Sequence, residues 1–134
     1  MRPILLDTRA LLWVANADPI SDEAEAALAE AKTGQVVVSP MSAWEIGQLV
    51  ARKRIVLPMD AMAWFRVALE SGVTLAPMTP ETLVASSFLP GKPIRSPPDR
   101  IIAATARAHG YRLMTRDPAL LGLAEEGHLQ VIAC

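Results

Sequence analysis

The sequence is poor in the residues that form disulfides and zinc sites. Its only cysteine is Cys134, so no internal disulfide is possible, and a reducing cytoplasm fits this composition better than an oxidising compartment. The two histidines, His109 and His128, lack the spacing of zinc ligands. Glycine-rich phosphate loops, nucleophile–base pairs and redox motifs are absent as well. These absences disfavour several large classes of enzyme.

Long hydrophobic runs are also missing. The apolar stretch at residues 4–6 is interrupted by Asp7, which makes it far shorter than the core of a signal peptide. No segment approaches the roughly 18 uninterrupted apolar residues of a membrane helix. The sequence therefore predicts a soluble, cytoplasmic protein without a membrane partner.

The overall charge is close to neutral. With 13 basic and 14 acidic residues the net charge is −1, which argues against a protein that coats nucleic acid by bulk electrostatics. The cations are nevertheless concentrated between residues 92 and 116, at Lys92, Arg95, Arg100, Arg107, Arg112 and Arg116. This segment could face phosphate, although each arginine is individually more typical of a solvated helix face.

Short apolar runs alternate with helical patterns along the whole chain. A length of 134 residues suits one domain spanning residues 1–134. Predicted strands lie near residues 3–6, 35–38, 73–76, 112–115 and 129–132. Because most of these strands are apolar on both faces, the pattern predicts an α/β fold with a central parallel sheet of four to five strands covered by helices on both sides.

Four of the fourteen acids share one kind of position. Asp7, Glu45, Asp99 and Asp117 each lie just after a strand or in the first turn of a helix. In an open parallel sheet these junctions lie at one edge, and they form a crevice where the strand order reverses. The four carboxylates could therefore converge.

A structural role explains the same acids equally well. Ser42 and Glu45 have the spacing of a capping box, as do Ser96 and Asp99, and Asp117 before a proline is an ordinary N-cap. If the four acids do share one crevice, however, their mutual repulsion needs a cation. Oxygen ligands without histidine or cysteine suit magnesium or manganese, which could activate water against a phosphodiester.

Four segments resemble the motifs of the VapC branch of the PIN-domain family, in order and over nearly the whole chain. They are residues 5–13 (LLDTRALLW), 42–46 (SAWEI), 98–106 (PDRIIAATA) and 113–117 (LMTRD). The resemblance implies a three-layer α/β/α PIN-like domain. It also implies an endoribonuclease that acts as the toxin of a toxin–antitoxin pair.

By the same resemblance, a Mg²⁺ or Mn²⁺ ion is held by Asp7, Glu45, Asp99 and Asp117, and Thr115 orients a carboxylate or water. Members of the family are typically homodimers that cut structured RNA such as transfer or ribosomal RNA, and a cognate antitoxin inhibits each of them. Two positions differ from the usual pattern. Arg9 replaces a histidine and could contact RNA phosphate or pair with an acid, and Ser96 replaces an aspartate, which leaves the number of metal ions open.

Two other functions remain possible from the sequence. A phosphotransfer domain could use Asp7 as its acceptor, but no second acid follows two positions later and no lysine is well placed. A catalytically silent binding module of the same fold would use the acids only as helix caps. The helical tryptophans Trp13, Trp44 and Trp64 are more typical of core or dimer-interface positions than of base stacking.

Overall fold

The computed structural model describes residues 2–134, in which five strands alternate with seven helices. The strands are β1 (Ile4–Leu6), β2 (Val36–Val38), β3 (Thr74–Leu75), β4 (Arg112–Thr115) and β5 (Val131–Ala133). The helices are α1 (Thr8–Ala15), α2 (Asp22–Glu30), α3 (Pro40–Ala51), α4 (Ala61–Glu70), α5 (Pro80–Ala85), α6 (Pro97–His109) and α7 (Pro118–Glu125). No helix in this part of the chain is both long enough and apolar enough to cross a membrane.

All five strands are parallel and are ordered β3-β2-β1-β4-β5. The chain therefore starts at the centre of the sheet, builds outward through β2 and β3, and then returns to place β4 and β5 on the other side of β1. The strand order reverses at β1, so the loops after β1 and β4 diverge at the carboxyl edge of the sheet. This arrangement confirms the predicted parallel sheet.

The two faces of the sheet carry two separate apolar cores. Successive side chains of a strand point to opposite faces, so Ile4 and Leu6 pack with α1 to α4 whereas Leu5 packs with α6 and α7. All three side chains are fully buried, and burial of each contributes roughly 1.5–3 kcal/mol. The layered α/β/α architecture follows from this double burial.

The third strand differs from its prediction. We expected a buried strand over residues 73–76, but β3 contains only Thr74 and Leu75, and both are exposed. It pairs with β2 alone and forms one edge of the sheet, so its outer side has no neighbouring strand. An edge strand is covered on fewer sides than a central one and needs less apolar surface. Short edge strands such as β3 are common because they offer few unpaired backbone groups.

Most helix ends agree with the sequence signals. Ser21 and Thr79 cap α2 and α5 through their side-chain oxygens, as their positions predict. Gly110 ends α6 in the left-handed conformation, with φ 69°, which glycine adopts without steric cost. The helix α2 stops at Glu30, four residues before Gly34, the first glycine after it in the sequence.

Candidate active site

Asp7 lies directly after β1 at the centre of the carboxyl edge. Its backbone N–H continues the sheet by donating to the Met114 carbonyl at 3.2 Å. One carboxylate oxygen, Oδ1, accepts from the Ala10 N–H at 2.8 Å and caps α1, and the other, Oδ2, accepts from the Thr115 hydroxyl at 2.5 Å. The residue is only 5% exposed. Burial raises the pKa of this carboxyl, and repulsion from Asp117 raises it further, against the hydrogen bonds that favour the charge.

Thr115 connects Asp7 to Asp117. The Thr115 side-chain oxygen, fully buried at the end of β4, accepts from the Asp117 N–H at 3.0 Å while its own hydrogen goes to Asp7. Asp117 in turn caps α7, because its Oδ2 accepts from the Leu120 N–H at 3.1 Å. One threonine thus fixes the positions of two acids that belong to separate strand ends.

Glu45 reaches the same edge from the second turn of α3. Its Oε1 accepts from the Thr8 hydroxyl at 2.5 Å, and the Thr8 oxygen lies 2.9 Å from the Ser42 hydroxyl oxygen. Burial and the nearby charge of Asp7 raise the pKa of Glu45, and the hydrogen bond from Thr8 lowers it. Residues of α1 and α3 therefore meet around one hydroxyl.

The predicted capping box of Ser42 and Glu45 is wrong. The helix α3 begins at Pro40, and its N-cap is Ser39, whose side-chain oxygen accepts from the Met41 N–H at 3.0 Å. Ser42 is therefore inside the helix, and Glu45 lies too far along it to reach the cap. Since Glu45 has no capping role, its burial beside another acid needs a different explanation.

Asp99 lies in the first turn of α6, after the proline-rich loop. Ser96 caps this helix as predicted and accepts from the Asp99 N–H at 3.4 Å. The pKa of the Asp99 carboxyl is raised to about 7, first by burial and then by the charges of Glu45, Asp117 and Asp7. Asp99 is thus within electrostatic range of all three other acids, so the four predicted site residues share one edge of the sheet.

The four carboxylates do not form a closed cluster. Within residues 2–134, no three histidine, cysteine, aspartate or glutamate side chains are grouped closely enough to hold a metal ion as they stand. The donor set nevertheless fits a hard divalent cation, because it consists of carboxylate oxygens, and burial and neighbouring acids disfavour the charged forms of Asp7, Glu45 and Asp99. A cation such as Mg²⁺ keeps several waters and needs only one or two direct carboxylate ligands.

Comparison with known proteins agrees with this architecture. The family model described as PIN domain matches residues 4–126. The chain belongs to the PIN-domain family. It is 32% identical over 120 residues to ribonuclease VapC22 of Mycobacterium tuberculosis, which covers 90% of this chain and 91% of that protein.

Solved structures share the fold at lower sequence identity. The DNA-bound VapBC complex of Salmonella typhimurium contains a chain with a TM-score of 0.68 and 15% identity, covering 98% of both chains. VapC20 of Mycobacterium tuberculosis, described as a toxin that cleaves the sarcin-ricin loop, has a TM-score of 0.61 and 18% identity, covering 97% of this chain and 99% of that one. These likenesses show that the present PIN domain has the fold of VapC proteins.

Sequence reasoning missed the hydroxyl groups on the α3 side of this PIN domain. Thr8 and Ser42 are both buried and together contact Glu45, yet neither was a candidate site residue. The adjacency of Thr8 to Asp7 was a usable signal, because the first residue of a helix after a strand faces the same edge as the strand end. The Ser42 contact joins α3 to α1 across 34 residues, and spacing along the chain does not indicate it.

The histidines contact residues other than the four acids, whereas Trp44 directly precedes Glu45 and lines a pocket with it. His128 Nε2 is 3.7 Å from Glu126 Oε2, and the rings of His109 and Tyr111 stack with centroids 5.5 Å apart. Trp64 is buried in the core as predicted, whereas Trp44 is 53% exposed and does not belong to the core of this chain. Trp13 is partly buried and lies beneath the guanidinium of Arg116.

Proposed function

We propose that this PIN domain is a magnesium-dependent endoribonuclease, with Mn²⁺ as a possible substitute, and that it is the toxin of a toxin–antitoxin pair. The observation that carries the proposal is the position of Asp99, a half-buried acid whose pKa is raised first by burial and then by the charges of Glu45, Asp117 and Asp7. Four acids placed close together do not stabilise a fold. Their arrangement is explained by a site that binds a divalent cation, because the cation offsets their repulsion.

In this proposal Asp7, Glu45, Asp99 and Asp117 hold the metal, and the fixed hydrogen bonds of Thr115 and Thr8 orient two of the carboxylates. A bound divalent cation would polarise the phosphodiester and lower the pKa of a water molecule. The expected products carry a 5′-phosphate and a 3′-hydroxyl, and no covalent intermediate with the protein is needed.

The residues around Asp7 disfavour the alternative in which this residue accepts a phosphoryl group. Arg9, and not a second acid, follows Asp7 two positions later. The charges that act on Asp7 come from Asp117 and Arg9, and not from a lysine. Metal-dependent hydrolysis therefore explains the site better than phosphotransfer.

The expected partners are inferred from the names of the relatives. VapC22 is named a ribonuclease, and several structural neighbours are toxin–antitoxin complexes. We accordingly expect a cognate antitoxin, a structured RNA substrate such as transfer or ribosomal RNA, and action in the cytoplasm. We also expect a homodimer, since Val84 and Phe88, on and just after α5, are 63% and 77% exposed and would gain from burial.

The test compares Asp99→Asn with the parent protein and with Asp22→Asn, a matched change in the first turn of α2. Purified proteins are incubated with transfer and ribosomal RNA in Mg²⁺ or in chelator. Cutting should require the cation, disappear in Asp99→Asn and persist in Asp22→Asn. In chelator the melting temperature of Asp99→Asn should equal or exceed that of the parent, because one repulsive charge is gone. Full activity of Asp99→Asn would disprove the proposal, and so would a parent protein that neither cuts RNA nor is stabilised by Mg²⁺.

A further inference from the structure

Two arginines adjoin acids of the crevice in the sequence and pair with none of its carboxylates. Arg9 is exposed in the first turn of α1, two residues after Asp7, and Arg116 is exposed between Thr115 and Asp117. The one ion pair closer than 4.0 Å in residues 2–134 joins His128 and Glu126, so neither guanidinium contacts an acid. The sequence left open whether Arg9 pairs with an acid, and the structure shows that it does not.

Arg116 is held in a fixed orientation. Its Nη2 donates to the Pro19 carbonyl at 2.7 Å, and its central carbon lies 3.7 Å from the centroid of the Trp13 ring. Stacking on an aromatic face is a favourable environment for a guanidinium and leaves part of its edge open to solvent. The Arg116 side chain is therefore ordered before any ligand binds.

Trp13 also brings Arg9 into the same neighbourhood. Residues four positions apart on a helix lie on one face, with Cβ atoms about 5–6 Å apart, and long side chains lean toward the helix N-terminus. Arg9 and Trp13 have this spacing on α1, so they share one face of the helix, and Arg116 stacks on the tryptophan of that face. The charge of Arg9 acts on both Asp7 and Glu45, which places it at the rim of the crevice.

An RNA strand needs cations at this rim. Four carboxylates repel phosphodiesters, and a bound divalent ion offsets only part of that charge. Arginine guanidinium groups bind phosphate oxygens in pairs of parallel hydrogen bonds and remain charged at any physiological pH. We propose that Arg9 and Arg116 form a phosphate-binding subsite that holds the RNA backbone next to the cleaved bond. This inference rests on the proposed function.

The test measures binding separately from cutting. In the Asp99→Asn background, which should not cut, a fluorescently labelled single-stranded RNA of mixed sequence is titrated at several salt concentrations and its anisotropy is recorded. Arg9→Gln and Arg116→Gln should each weaken binding by about 10-fold and flatten the plot of log affinity against log salt by about 0.7 per lost phosphate contact. Arg66→Gln, an exposed arginine on α4, is the matched control and should change neither quantity.

Loss of the Pro19 contact could unfold the loop near Arg116, so Arg116→Lys and a melting curve accompany that variant. Arg116→Lys keeps the charge but not the planar fork, and we expect an intermediate affinity at an unchanged melting temperature. Unchanged affinity and salt dependence in both glutamine variants would overturn the inference, as would equal effects of Arg66→Gln. If the parent fails to cut RNA but RNA binding still depends on both arginines, the proposed function fails and the phosphate subsite stands.

Discussion

Two helices of this protein begin on an aspartate with the same capping geometry and different surroundings. Asp7 accepts from the Ala10 N–H at 2.8 Å at the start of α1, and Asp60 accepts from the Ala63 N–H at 2.9 Å at the start of α4. Both residues have extended backbone angles. Asp60, however, is exposed, and its carboxylate forms no other hydrogen bond in the described part of the chain, whereas Asp7 is buried and bonds to Thr115 as well.

The comparison shows that capping and ligand binding do not exclude each other. A carboxylate has two oxygens and about four lone-pair positions, so the cap occupies only a fraction of its capacity. Asp7 and Asp117 both cap helices and still lie within electrostatic range of the other acids. Capping, which the sequence offered as an alternative to a shared site, is present at both residues and leaves them able to take part in one, and what distinguishes Asp7 from Asp60 is burial beside like charges.

The largest expected difference between these two helix starts is catalytic. Asparagine caps helices as well as aspartate does, so Asp7→Asn and Asp60→Asn should both preserve their caps. We expect Asp7→Asn to lower the rate of RNA cleavage by about 100-fold or more, because charge stabilisation in the transition state is lost, and Asp60→Asn to leave the rate unchanged. Both effects are measured as initial rates of cleavage of one RNA substrate in saturating Mg²⁺.

Circular dichroism of the two variants is the control for helix content, which should match that of the parent. A loss of activity in Asp60→Asn equal to that in Asp7→Asn would mean that the caps, and not the shared charges, matter for function. Such a result would remove the distinction on which the site assignment depends.

A smaller effect is expected at the hydroxyl groups that hold the acids. Thr115→Val removes the donor to Asp7 and the acceptor for the Asp117 N–H, and Thr8→Val removes the donor to Glu45. Groups that orient metal ligands typically contribute about 10-fold in activity or metal affinity. We therefore expect kcat to fall by about 10-fold in each valine variant, with a smaller change in KM.

The serine variants at the same positions separate positioning from packing. Thr8→Ser and Thr115→Ser keep the hydroxyl and lose only a methyl group, so most of the activity should return. If the serine variants are as impaired as the valine variants, the hydroxyl groups have no positioning role and the buried methyl groups account for the loss.

The sequence predicted where the acids lie in the fold but not how they are held. Asp7 and Asp117 could be placed because strand ends and helix starts leave local signals, and parallel strands present those junctions at one edge. The start of α3 also carries a local signal, because a serine followed by a proline is typical of a helix start, and Ser39 and Pro40 occupy these positions. The alternative capping box of Ser42 and Glu45 has the right spacing but lies inside the helix.

Contacts between distant segments carry no local signal at all. The hydrogen bond of Thr115 to Asp7 spans 108 residues, and that of Thr8 to Glu45 spans 37. The stacking of Arg116 on Trp13 likewise depends on the packing of the β4–α7 junction against α1. Such pairings need the order of the strands, which the alternating pattern of strands and helices leaves open.

The smallest expected effect concerns stability in the absence of metal. For Asp99 the pKa rises from 3.8 to about 7 on folding. Between these values the folded protein holds a proton that the unfolded chain has lost, so stability falls as the pH rises through this window. The raised pKa values of Asp7 and Glu45 act in the same direction.

In chelator, the melting temperature of the parent should therefore decrease by a few degrees relative to that of Asp99→Asn as the pH rises from about 5 to about 8. For a domain of this size such a decrease corresponds to about 1 kcal/mol. Adding Mg²⁺ at the upper pH should restore the parent more than the variant, because a bound cation favours the charged carboxylates. Asp60→Asn should follow the parent at every pH, since its carboxylate faces solvent. Parallel curves for the parent and Asp99→Asn would mean that Asp99 does not experience the charges of the other acids, and the difference between the buried and the exposed helix starts would then be one of packing alone.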